Sequence, residues 1–196
     1  MLSERLKGKV AVVTGTGNGI GKGVALMLAR HGARVMGCDI DVAAAAATVA
    51  EAQREGLPVE SVQPCDLTKP DDVQKLMDTA VQRYGGMDAL VNAGAVRSST
   101  LRRRMPTKRY RGVVPWRIAR ARVLAMTRQL AMEGGPHNIR ANSISPGMIV
   151  TAATKPVLEQ PGFLEHVLEK KMITMPKAIR LYAAVGTWHR GGACSC

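Results

Sequence analysis

The sequence predicts an α/β protein built on a doubly wound parallel sheet that is incomplete after its fourth strand. Three observations predict it. Short β-branched runs alternate with longer amphipathic stretches from Lys9 to Gly94, the order that produces parallel strands joined by crossover helices. The apolar runs are short and continuous, as in strands covered on both faces. From Arg97 onward the alternation breaks and the charge balance changes abruptly.

Val10 to Thr14 is apolar and β-branched and is stopped by Gly15, which reads as a doubly buried strand. Gly19 to His31 reads as a helix. Val24, Met27, Leu28 and His31 recur at helical spacing, and Gly32 stands at the C′ position. Arg34 to Ile40 is a second strand, and Val42 to Arg54 an alanine-rich helix. Val59 to Asp66 gives a third strand. Thr68, Pro70 and Asp71 read as the N-cap and first turn of a helix reaching about Tyr84, with Val73, Leu76, Met77, Ala80 and Val81 on its apolar face. Met87 to Asn92 is the fourth strand.

Residues 97–115 show neither period, and Pro106 and Pro115 interrupt any helix. Order returns at Val123, where Met126, Leu130 and Ala131 continue an apolar helix face; Gly134-Gly135-Pro136 ends it. Ile139 to Ile144 reads as a further strand stopped by Pro146-Gly147, and residues 157–171 suggest a short helix after a loop. No final strand is recognisable in the tail from about Met175. The expectation is one domain over residues 1–196, with 97–122 an anomalous basic segment and 175–196 a divergent tail.

The charge distribution decides how the net charge of +13 is read. Residues 97–122 hold nine Arg and one Lys and no acid, and residues 172–196 hold three further cations and no acid, so the remainder is neutral. A uniformly basic protein suggests a nucleic-acid partner; this one reads as an ordinary neutral enzyme carrying two foreign segments. No apolar run approaches the ~18 residues of a membrane span, and the amino terminus does not look like a secretory signal. The four cysteines, Cys38, Cys65, Cys194 and Cys196, form no disulfide framework, so the expected compartment is cytoplasmic. Cys38 and Cys65 are expected to pack as small apolar groups. The four histidines lack metal-ligand spacing, and no metal is expected.

Thr14-Gly15-Thr16-Gly17-Asn18-Gly19-Ile20-Gly21 follows a strand and opens a helix. In that context glycines let the backbone approach a pyrophosphate, and the helix N-terminus offers unpaired N–H groups. Asp39 closes the second strand 18 residues after Gly21, close to the ~20 of an acid that accepts hydrogen bonds from the adenosine ribose. Its charge would repel a 2′-phosphate, favouring NAD over NADP.

These residues resemble the TGxxxGIG cofactor loop of the short-chain dehydrogenase/reductase family. Asn92-Ala93-Gly94 looks like that family's NAG motif, and Cys65-Asp66-Leu67 sits where its Asp meets the adenine ring. Asn138 to Gly147 is similar to the family's IRVNxxxPG stretch, and Thr151 follows where a Thr bonds the nicotinamide carboxamide. The likeness covers roughly residues 5–96 and 121–171. It implies a Rossmann-type fold and hydride transfer between a nicotinamide cofactor and a carbonyl or secondary alcohol. It also implies that Gly15, Asn18, Gly19, Ile20 and Gly21 line the pyrophosphate, that Asp39 and Ile40 hold the ribose and Asp66 and Leu67 the adenine. Asn92, Ala93 and Gly94 would back the cofactor, and Pro146, Gly147, Ile149 and Thr151 hold its nicotinamide end. The implied cofactor is NAD, the implied partners a small-molecule substrate and further copies of the chain. Nucleic acid and membrane are not expected partners.

The chain departs from the family's catalytic pattern. There the substrate oxygen is oriented by a Ser, and a Tyr transfers the proton with a Lys four residues on to lower its pKa. Tyr84, Tyr110 and Tyr182 are followed at that spacing by Asp88, Val114 and Gly186. Alignment back from Val123 puts Trp116 and Arg120 at the Tyr and Lys positions; an indole N–H does not serve as acid or base. Only 21 residues separate Gly94 from Trp116, too few for a helix of ~11, a strand of ~5 and their loops. No catalytic residue is therefore assigned, and activity is expected to be impaired. A cofactor-binding protein without activity is the alternative, and an RNA-binding protein using 97–122, with Tyr110 and Trp116 stacking on bases, the third. For the segment's origin, a deletion with a change of reading frame, a genuine basic loop and a functionless insertion stay open.

Overall fold

The computed structural model describes residues 4–94, 125–137, 139–145, 151, 154–155, 159–161 and 184–187. The chain falls into two compact units, one of residues 1–96 and 150–165, the other of 97–149 and 166–196.

The first unit contains a four-stranded parallel sheet in the order β3-β2-β1-β4. The strands are β1 (Val10–Thr14), β2 (Arg34–Cys38), β3 (Val59–Val62) and β4 (Ala89–Asn92), joined by α1 (Gly19–Arg30), α2 (Val42–Arg54) and α3 (Pro70–Tyr84). β1 is buried throughout. Val12, Val13, Val35 and Met36 are each at most 1% exposed, contributing roughly 1.5–3 kcal/mol apiece by burial. One core cluster joins Val13 and Val35 to Ala25, Leu26, Ala29 and Ala52; the other joins Val12, Met36 and Cys38 to Cys65, Leu76 and Ala80. The parallel order, the Rossmann-type architecture and the buried thiols are as the sequence predicts.

Several details differ. The buried face of α1 is Gly21, Ala25, Leu26 and Ala29, while Met27 is 48% exposed. Ala25 and Ala29 let this helix lie close to the sheet beside Leu26, with Val24 and Leu28 partly buried against the same cluster. Thr68 is not the N-cap of α3. Lys69 holds that position without a side-chain bond, and the Thr68 hydroxyl donates to Asp66 Oδ1 at 2.7 Å. β3 ends at Val62, because the Pro64 that soon follows has no N–H for the ladder. β4 carries exposed side chains, Leu90 at 44%; among the described residues it pairs only with β1.

In the second unit a helix occupies 125–134 and is followed by a short 3-10 turn, Gly135–His137. Met126 and Leu130 on this helix are half-exposed. β5 (Asn142–Ser145) pairs antiparallel with β6 (Ala184–Thr187) in a two-stranded sheet. The tail expected to lack a strand thus supplies one, which the weak pattern AVGT did not reveal. All of 97–122, and the helix expected over 157–171 apart from 159–161, lie outside the described residues. No described helix is long and apolar enough to cross a membrane.

Candidate cofactor site

Register brings the site together. Thr14 is paired with Cys38 on one side and Asn92 on the other, and Cys38 with Val62. All four strands therefore end at one edge, where the segments 15–21, 39–41, 63–67 and 93–94 emerge. Between β1 and β4 the winding reverses, the topological switch point at which open α/β sheets bind ligands.

At that point the backbones of β1 and β4 nearly touch. Gly15 has φ +73°, and a Cβ placed on it would lie 2.7 Å from the α-carbon of Gly94. The Thr14 hydroxyl accepts hydrogen bonds from the Ala93 and Gly94 N–H groups at 3.1 and 3.0 Å, so β1 itself fixes the 93–94 segment. A Cβ on Gly21 would fall 2.0 Å from the Gly15 carbonyl oxygen; the first turn of α1 rests directly on the loop. A Cβ on Gly19 would meet the Thr151 methyl at 3.0 Å, which sets Thr151 against the same loop.

The N-terminus of α1 suits an anion. Asn18 precedes it in extended conformation with no side-chain cap, and its first turn carries no acid. By contrast α2 is capped by Asp41, which accepts from the Ala44 N–H at 3.0 Å, and α3 carries Asp71 and Asp72 in its first turn. The free N–H groups and positive dipole end thus remain available where the glycines have cleared the approach.

Asp39 lies beside this loop. Its Oδ2 accepts from the Gly17 N–H at 2.7 Å and its Oδ1 from the Asp41 N–H at 2.9 Å. An ionised carboxylate has about four acceptor positions, so two remain for hydroxyl donors. Ile40 and Ile20 expose apolar side chains, 63% and 41%, at this edge. The Cys65 N–H donates to the Asp39 carbonyl at 2.9 Å, tying the 65–67 segment to the end of β2. Asp66 accepts from the Thr68 N–H and hydroxyl, which hold its carboxyl below the usual carboxylate range. Leu67 approaches Gly94, where a Cβ would meet its Cδ1 at 2.7 Å.

The structure therefore gathers Gly15, Asn18, Gly19, Ile20, Gly21, Asp39, Ile40, Asp66, Leu67, Asn92, Ala93, Gly94 and Thr151 at or beside one edge of the sheet. Pro146, Gly147 and Ile149 lie outside the described residues. Sequence reasoning missed Thr14 and Gly17, both inside the motif it singled out, and Thr48, whose hydroxyl donates to the Gly17 carbonyl; an isolated Thr in an alanine-rich helix carries no signal of such a role. Tyr84 is at the other edge of the sheet. Arg34, the first residue of β2, stacks on its ring at 5.1 Å, and burial pushes its phenol up to about 12.

Comparison with known proteins identifies the family. The family model described as short chain dehydrogenase matches residues 9–116, more than half of the chain. The chain belongs to the short-chain dehydrogenase/reductase family. A second model, described as Enoyl-(Acyl carrier protein) reductase, matches residues 106–184 of this family member. It is 30% identical to the 3-oxoacyl-(acyl-carrier-protein) reductase of Thermotoga maritima, with 80% of each chain covered. That alignment runs over 200 positions yet draws on 80% of a 196-residue chain, so it is opened by gaps on this chain's side. Among solved structures, a hydroxysteroid dehydrogenase from Escherichia coli aligns at TM-score 0.65 and 29% identity, covering 79% of this chain and 81% of its own. The gox2181 structure aligns at TM-score 0.73 with 24% identity, covering 88% and 84%, and shares the fold.

Proposed function

We propose that this short-chain dehydrogenase/reductase binds NAD in the crevice between β1 and β4 and descends from enzymes acting on a carbonyl or secondary alcohol. The observation that carries the reading is the Asp39 carboxylate, held beside the glycine loop with two acceptor positions free. In this reading Gly15, Asn18, Gly19, Ile20 and Gly21 receive the pyrophosphate, and Asp39 and Ile40 the adenosine ribose. Asp66 and Leu67 flank the adenine. Asn92, Ala93 and Gly94 form the back wall; Thr151, with Pro146, Gly147 and Ile149, meets the nicotinamide end. When bound, NAD exchanges a hydride with the substrate carbon. The chain's part is to bind and orient the dinucleotide, and Asp39 excludes a 2′-phosphate by charge.

Turnover is impaired in this reading. No Tyr-x-x-x-Lys occurs in the sequence, and Tyr84 faces the wrong edge of the sheet. A cofactor-binding member without catalysis is the second reading, favoured by the same two observations. We take the chain as one domain with departures at 97–122 and 175–196, working in the cytosol as a homo-oligomer.

Calorimetric titration tests the binding claim. NAD is expected to bind more tightly than NADP, and Asp39→Ala to weaken NAD by about 10- to 100-fold, the worth of hydrogen bonds to a charged acceptor. No heat of NAD binding to the wild-type chain would overturn it. NAD-linked turnover of a ketone and alcohol panel at rates ordinary for enzymes, roughly 1 s⁻¹ or more, would refute the impairment.

A further inference from the structure

Gly17 is gripped on both sides, through the N–H of the peptide that precedes it and the carbonyl of the peptide that follows it. Its N–H donates to Asp39 Oδ2 at 2.7 Å. Its carbonyl accepts from the Thr48 hydroxyl at 3.3 Å; the same hydroxyl lies 3.2 Å from the Ala44 carbonyl one turn earlier in α2. Thr48 is 1% exposed. Residues 44, 48 and 51 share one helix face, and each meets the 17–22 segment. Ala44 stands 2.9 Å from where a Gly17 Cβ would be, and Glu51 pairs with Lys22 Nζ at 2.7 Å.

A glycine peptide has little intrinsic preference for one orientation. Were Gly17 to rotate about its own backbone dihedrals, its N–H would swing away from Asp39 Oδ2, and Asp39 would lose a donor that aims it. We propose that Thr48 is a positioning residue for dinucleotide binding: its hydroxyl anchors the Gly17 carbonyl and so holds the residue whose N–H aims Asp39 at the adenosine ribose. The inference rests on the NAD reading above. The competing role is purely local: a buried Thr satisfying itself on the carbonyl four residues back, with no bearing on ligand.

The two roles separate experimentally. Thr48→Val keeps the shape and removes the hydroxyl. It is expected to raise the Kd of both NAD and ADP-ribose by about fivefold, the worth of one hydrogen bond, because Gly17 serves the adenosine half that both ligands share. Thr48→Ser is expected to restore the affinity. Glu55→Gln cuts the Arg30–Glu55 pair, 2.7 Å, that links the far ends of the same two helices; it is expected to leave both Kd values unchanged. A folded Thr48→Val with wild-type affinity, or a Thr48→Ser as weak as Thr48→Val, overturns the proposal. If Thr48→Val does not fold, Thr48→Ala carries the same expectation. Failure of the wild-type chain to bind either ligand overturns the dinucleotide reading itself, whereas wild-type binding with an indifferent Thr48→Val overturns the role of Thr48 alone.

Discussion

Gly21 and Gly23 lie two residues apart in α1, and helix propensity treats them alike. Replacing either by Ala is expected, on backbone entropy alone, to stabilise the helix by roughly 0.5–1 kcal/mol. Tertiary structure separates them. A Cβ on Gly23 meets nothing within 4 Å, whereas one on Gly21 lies 2.0 Å from the Gly15 carbonyl oxygen and 3.0 Å from that of Thr14. A tolerable carbon–oxygen contact is ~3.3 Å, so Gly21→Ala must drive α1 and the loop apart by more than about 1 Å. Both partners are backbone and neither can swing aside. Overpacking of this kind costs about 1–3 kcal/mol or more, which outweighs the propensity gain. Gly23→Ala is thus expected to raise the urea midpoint at constant m-value and Gly21→Ala to lower it. NAD affinity should fall in Gly21→Ala alone, because the displaced loop is the proposed pyrophosphate seat. Equal stabilisation by the two substitutions would refute the close approach of helix to loop.

Thr14→Val preserves shape but removes the acceptor of two backbone N–H groups, Ala93 and Gly94. At 1–3 kcal/mol for each buried donor left unpaired, it is expected to cost about 2 kcal/mol or more in chemical denaturation; a neutral result would show that the 93–94 segment is held by something else. Stability against pH should show limbs at both ends. Glu55, Asp66 and Asp88 are held below their ordinary values, chiefly by Arg30, by the Thr68 N–H and by Lys9. The stability they contribute is whole above the unfolded carboxylate values of about 4 and is lost as pH falls through the lower folded ones. Tyr84 and Cys38 are both pushed up to about 12, mainly by burial, from 10.0 and 9.0. Their contribution is whole below the unfolded values and is lost between about pH 9 and 12. Unfolding monitored by circular dichroism across pH 2–12 checks both limbs, and flat stability below pH 4 would contradict the carboxylate assignments.

The residues that the structure gathers at this edge were legible because their signal is local. A β-branched run, a cluster of glycines and a helix start are contiguous in the chain, and Asp39 ends a strand whose length is visible. On α1, Val24 and Leu28 pack against the core as their spacing predicts, but Met27 does not, and hydrophobic spacing underweights Ala25 and Ala29 at the buried centre. Packing against a sheet rewards closeness, and small residues supply it. Thr68 had the composition of a cap, but Asp66 competed for its hydroxyl. β6 was missed because Ala, Val, Gly and Thr announce a strand only when a partner such as β5 is present.

The amino-acid sequence by itself determined the alternation of strands and helices up to Gly94, the glycine loop that opens α1 and the carboxylate that follows β2. Each follows from residue type and short-range spacing. Tertiary structure alone decided that β4 lies beside β1, so that Gly15 and Gly94 meet at the switch point, that Thr14 holds the neighbouring segment, and that Thr48 reaches Gly17. Those contacts join residues 31 to 80 positions apart. Only the register of parallel strands and the depth at which a helix settles on them bring such residues within hydrogen-bond reach.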